Sequence, residues 1–215
     1  MTIDPNARLG FAGVIRTPEE LAEIFGEVER VAREKAIDHL DRHCRGFIAR
    51  SPFVLVGTSD NATRCDVSPR GGSAGFVEIL DDRRLVFAEA KGNRRIDSLK
   101  NLLVNPHIGM LFLIPGLGET LRVSGRATIV TDAAVLTRHT EPNREPPKVA
   151  VVVEVEEAFL HCAKAFIRSS LWKPAEWPAL DGLARPATIW KDHANLIETP
   201  EELETLLEET YQAEL

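Results

Sequence analysis

The sequence predicts an α+β fold: six or seven mostly antiparallel strands closed into a barrel, with flanking helices. Three observations predict it. Between Phe53 and Phe159, short apolar or alternating runs recur with turn signals between them. Most of those turns are too short for parallel crossovers, so neighbouring strands run antiparallel. So many strands would leave exposed edges, and closure into a barrel removes them.

Composition narrows the class. The chain has 215 residues with 44% hydrophobic, enough for one real core. Its net charge of −7 argues against a general nucleic-acid binder, which needs a basic face. No apolar run is long enough for a transmembrane helix, and the N-terminus lacks the pattern of a secretory signal. Cys44, Cys65 and Cys162 are odd in number and widely spaced, as expected of reduced thiols in the cytoplasm. The expected organisation is an N-terminal arm and helix (1–44), a barrel (45–173) and a C-terminal extension with a terminal helix (174–215), forming one domain.

In chain order, residues 1–16 read as an irregular arm. Thr17-Pro18-Glu19-Glu20 is a helix start with proline at the first position. Apolar spacing from Leu21 to Ala32 predicts one helix reaching about His43. His39 and His43 have metal-binding spacing, but glutamate is absent after His39 and no third ligand is evident, so no metal is expected. Phe53–Thr58 and Thr63–Ser68 form a hairpin. Ser68-Pro69-Arg70-Gly71-Gly72 reads as a glycine-rich turn able to bring backbone N–H groups near a ligand. Phe76–Leu80 is the third strand and Arg84–Glu89 the fourth.

After the turn at Lys91-Gly92-Asn93, Asn93 is expected to cap a helix with Ile96, Leu99, Leu102 and Leu103 on one face. Asn105-Pro106 stops it. Ile108–Ile114 is apolar almost throughout, like a strand buried on both faces. Thr120–Val130 alternates, with Gly125 a bend. A short helix fits Ala133–His139, and Val149–Phe159 is a β-branched strand. Lys164 and Arg168 lie four apart on a helix. Trp172, Trp177 and Trp190 stand among prolines as packing anchors, and Thr199-Pro200-Glu201-Glu202 starts the last helix.

The informative misfit is Arg94-Arg95. With Asn93 as cap, both cations fall in the first helical turn, where the dipole opposes them by about 0.3–1 kcal/mol each. Free N–H groups at that end form an anion site, so a phosphate between the arginines relieves the misfit. Solvated arginines paired with Asp82 or Asp97 are the plainer explanation, with Asp97 and Ser98 as supports. No G-x-S-x-G, Walker, zinc or post-strand G-x-G-x-x-G pattern is present.

The ordered motifs DVSPRGG, LVFAEA, GNRRIDSL, NPHIGMLFLIPG and LRVSGRA, with the tail HCAKAFIRSSLW, resemble the pyridoxamine 5′-phosphate oxidase-like FMN-binding split barrels over residues 45–173. The tail looks like that of a subgroup of FMN-dependent members. The resemblance implies a homodimer with FMN at the interface, acting as an oxidoreductase on a small molecule. Arg94 and Arg95 would hold the FMN phosphate, and Arg70 would lie near the cofactor. Ser68 would donate to phosphate or ring, and Asp66 and Val67 would set backbone groups beside the pyrimidine edge. Phe87, Ala88 and Glu89 would flank the cofactor, with Lys164, Arg168 and Trp172 covering it. The alternative is a non-catalytic flavin, haem or F420 carrier, or a dimeric module that has lost its cofactor. No catalytic residue is assigned. The oxidase's C-terminal Arg-x-His is missing, since Arg185 and His193 are too far apart, so a substrate other than a B6 vitamer is expected.

Overall fold

The structure, a computed structural model, describes residues 11, 13–140, 142 and 145–214. The expectation of an irregular N-terminal arm lies largely outside them. The chain divides into two units, residues 1–36 and 37–215.

The first unit carries two short helices, α1 (Pro18–Phe25) and α2 (Arg30–Glu34). The single helix expected to reach His43 is therefore corrected. Thr17 caps α1 by accepting from the Glu20 N–H at 3.2 Å. Gly26 ends it at φ 74°, its N–H returning to the Ala22 carbonyl at 2.8 Å. Local caps defeat a continuous apolar stripe.

The second unit begins with Ile37 pairing with Ala158, then α3 (Arg42–Ile48). The Asp41 carboxylate caps α3 through the N–H groups of His43 and Cys44 at 2.9 and 2.8 Å. His39 thus lies before the helix that carries His43. Cys44 and Ile48 enter the core from α3.

The strands are β1 (Phe53–Ser59), β2 (Cys65–Gly71), β3 (Glu78–Ile79), β4 (Arg84–Ala88), β5 (His107–Leu113), β6 (Thr120–Val130) and β7 (Ala150–His161). Helices α4 (Asp97–Val104) and α5 (Ala133–Arg138) interrupt them. One seven-stranded sheet results, in the order β2-β1-β5-β6-β7-β4-β3, antiparallel at every pairing. Two local expectations change. Ser68 to Gly71 is strand, not turn: Ser68 pairs with Val56 and Gly71 with Phe53. Pro69 is tolerated because β2 is an edge strand. β5 is buried on one face only, through Ile108, Met110 and Phe112.

The core lies between the inner face of the curled sheet, with Val54, Phe87, Phe112, Val123 and Val153, and the covering helices. The curl has a seam. Arg70 on edge strand β2 grips Glu89, which follows β4, at 3.0 Å through each of two guanidinium nitrogens. Edge strand β2 therefore meets the end of β4, the strand next to the other edge, through a side-chain bridge and not a ladder, giving a split barrel.

After β7, α6 (Lys164–Ser169) and a 3-10 turn (Pro174–Glu176) lead to α7 (Pro186–Ala194) and α8 (Pro200–Glu214). α7 was not expected, although Pro186 at its first position and Asn195 at φ 50° mark its ends. Thr199 and Glu202 form a reciprocal capping box at α8.

Gly125 sits at the β6–β7 irregularity, where a Cβ would lie 2.0 Å from the Glu154 carbonyl oxygen. Gly109 has open space instead. Gly125→Ala is expected to destabilise by at least about 3 kcal/mol, the upper end for overpacking, and Gly109→Ala by about 1 kcal/mol or less. Urea denaturation midpoints check this; equal losses would contradict it.

Candidate functional site

The site is set by how α4 docks on the β1–β2 hairpin. Ser98 donates to the Asp66 carboxylate at 2.7 Å, the Asn101 amide to Thr58 Oγ1 at 3.0 Å, and the Asn105 amide to Ser59 Oγ at 2.9 Å. Steps of three and four residues place all three donors on one helix face. Leu102 enters the core beside them. Asn101 and Asn105 were not singled out from sequence; two amides at helical spacing opposite a Thr-Ser strand end were the available signal.

The start of α4 differs from expectation. Asn93 does not cap it; its side-chain oxygen accepts from the Arg95 N–H at 3.0 Å. The cap position is Ile96, at φ 49° and without a side-chain cap, and Arg94 has φ 60°. A left-handed conformation disfavours a β-branched residue, and such strain runs to about 1–3 kcal/mol. Arg94 and Arg95 therefore precede the first helical turn, in a tight turn that leaves the leading N–H groups of α4 without a side-chain acceptor.

The charges there are unequal. Arg94 is exposed and has no ion-pair or hydrogen-bond partner among the described residues. Arg95 pairs with Asp97 while staying 79% exposed. Lys100 donates to the Arg95 carbonyl at 2.9 Å and lies 3.5 Å from Asp97. The Arg95 hydrogen bond holds the Asp97 carboxyl below its ordinary pKa, with Arg95 and Lys100 charges adding to it. Solvent screens so exposed a pair, and Asp97 does not tie Arg95 down.

On β2, alternation puts Asp66, Ser68 and Arg70 on the half-buried face and Val67 on the exposed one. Asp66 is satisfied by Ser98 and Arg70 by Glu89. Arg70 also donates to Ser68 Oγ at 2.6 Å. Its guanidinium is thus largely neutralised from within. Phe87 is fully buried in the core, so only its backbone reaches the strand end; Ala88 is half-buried.

The tail residues make contacts of their own. Trp172 donates to the Leu117 carbonyl at 2.8 Å and stacks on Phe166. Lys164 and Arg168 are exposed on α6. Among the described residues no hydrogen bond or ion pair joins these three to β2, β4 or α4. Arg185 is held by Glu201 and Glu204 of α8 at 2.6 and 2.9 Å. It clasps two helices.

Among the described residues no His, Cys, Asp and Glu group fits a metal, and no helix is long and apolar enough to cross a membrane. Burial pushes the Cys44 thiol up to about 11.

The fold and site define an antiparallel split barrel with a cationic, uncapped turn beside its seam. Residues 40–162, more than half of the chain, match the sequence profile described as pyridoxamine 5′-phosphate oxidase. The chain belongs to that family. Among solved structures it is similar to HupZ of Group A Streptococcus, at 21% identity and TM-score 0.45 over 56% of this chain and 92% of that one. It is similar to a protein from Clostridium acetobutylicum related to general stress protein 26, at 15% identity and TM-score 0.43 over 55% and 85%. It is also similar to an F420 reductase, at 20% identity and TM-score 0.40 over 53% and 94%. A search of curated proteins gave no match.

Arg95→Ala should release Asp97. Its carboxyl titration by NMR then moves up toward the ordinary value near 3.9; an unmoved midpoint would show that Arg95 is not the main cause.

Proposed function

We propose that this protein binds FMN and serves as an FMN-dependent oxidoreductase of its family, acting on a small molecule. One observation carries the reading: a strained turn puts two arginines and uncapped N–H groups together at the start of α4. This donor set fits a phosphate. Arginine forks pair with phosphate oxygens, and the backbone groups add neutral donors. A phosphate of nearly two negative charges outcompetes the single exposed carboxylate of Asp97 for Arg95.

Arg94 and Arg95 would hold the phosphate, and Ser98 with Asp66 would keep the turn against β2. Bound FMN would supply the electron-transfer chemistry, which requires no nucleophile of the protein. We further propose a homodimer, as the resemblance implies, in which the second copy supplies Lys164, Arg168 and Trp172. The engagement of Arg185 with α8 favours a substrate other than a B6 vitamer. We place the protein in the cytoplasm.

The full-length protein purified with FMN is expected to show flavin absorption, and NADH or NADPH reduction followed by substrate reoxidation would separate an enzyme from a carrier. Removing both cations, Arg94→Ala with Arg95→Ala, should leave a folded, colourless protein. Each lost charge-assisted contact is worth about 1.5–3 kcal/mol, so the pair weakens FMN roughly a hundredfold or more. Undiminished FMN affinity in the double variant would overturn the assignment.

A further inference from the structure

The N-terminal unit carries apolar side chains that it does not cover. Leu21, Ile24, Phe25, Val28 and Val31 follow one another at short, mostly helical steps, and each is between 45% and 80% exposed. Neither α1 nor α2 buries a residue. Helices of eight and five residues do not persist in water on their caps alone, so a covering surface has to supply the rest. An exposed apolar series of this kind marks an interaction site. Charge indicates what covers it. From Glu19 to Glu29 the chain carries five glutamates and no cation, and from Arg30 to Lys35 three cations and one glutamate. Arg30 pairs with Glu34 at 2.9 Å, but both side chains are exposed and solvent screens the pair.

A partner of one sign would complement only half of this segment; a second copy complements both halves. In a two-fold contact, residue i of one copy meets residue j of the other, and j meets i. Antiparallel segments then set Glu19 and Glu20 against Arg30 and Arg33 twice over, and the apolar series against itself. A parallel contact would set glutamate against glutamate. We infer that residues 17–35 are a self-pairing surface, on which α1 of one copy docks antiparallel to α2 of a second copy, with Gly26 near the two-fold axis. This inference does not rest on the flavin reading, and the surface is separate from the tail residues invoked there.

The test is disulfide trapping in the full-length protein carrying Cys65→Ser and Cys162→Ser, which removes the exposed thiols. One form with Leu21→Cys and one with Val31→Cys are co-expressed and oxidised with diamide. The covalent dimer is then read on a non-reducing gel, and its linked peptides are identified by mass spectrometry. A dimer joining positions 21 and 31 is expected from the pair, and little covalent dimer from either form alone. Adding Phe25→Asp to both forms should lower the trapped fraction about tenfold or more, because each copy loses a buried aromatic ring. The thermal midpoint should stay at that of the parent, since Phe25 is outside the core. No trapped dimer from the folded pair, linkage of 21 to 21 as abundant as 21 to 31, or undiminished trapping with Phe25→Asp would overturn the inference and leave the flavin reading standing.

Discussion

The hydrogen bond from Ser98 to Asp66 is the contact on which the candidate site depends. It joins the first turn of α4 to the second residue of β2, and so fixes where the helix begins against the sheet. A bond to a charged acceptor is worth about 1.5–3 kcal/mol. Without it, a half-buried carboxylate would lose its partner next to the arginine turn. The amide bonds of Asn101 and Asn105 hold the rest of the helix in register. The Lys91–Glu145 ion pair on one side and the Lys100 donation to the Arg95 carbonyl on the other hold the turn before α4, so the left-handed backbone at Arg94 and Ile96 persists while both cations remain exposed.

Charge is distributed with the same economy. The chain is acidic overall, with a net charge of −7. The half-buried Arg70 is matched by a carboxylate across the seam. Arg185 is matched by two carboxylates of α8. No described carboxylate pairs with Arg94, which lies next to the uncapped start of α4. Unanswered positive charge beside uncapped N–H groups favours an anionic partner.

Much of the barrel was legible in the residues. The alternation from Thr120 to Val130 marked β6 to the residue, and the apolar runs at β1, β4 and β5 located those strands closely. Periodicity failed where side-chain capping or pairing decided the outcome. Gly26 and Asp41 broke the long N-terminal helix into pieces. β1 drew Ser68 to Gly71 into a strand that composition alone renders as a turn. At the site, the Arg94-Arg95 pair was visible as a charge misfit. The reason proved different from the expected one: the arginines sit in a strained turn before the helix. The pairing of Arg70 with Glu89 was not legible, because they stand nineteen positions apart in the chain and only the curl of the sheet brings β2 to the end of β4.

A crystal structure of the protein grown with FMN tests the central claim most directly. Phosphate density within hydrogen-bond distance of Arg94, Arg95 and the leading N–H groups of α4 is the expected result. An FMN phosphate bound elsewhere, with Arg94 still in solvent and Arg95 still on Asp97, would contradict it.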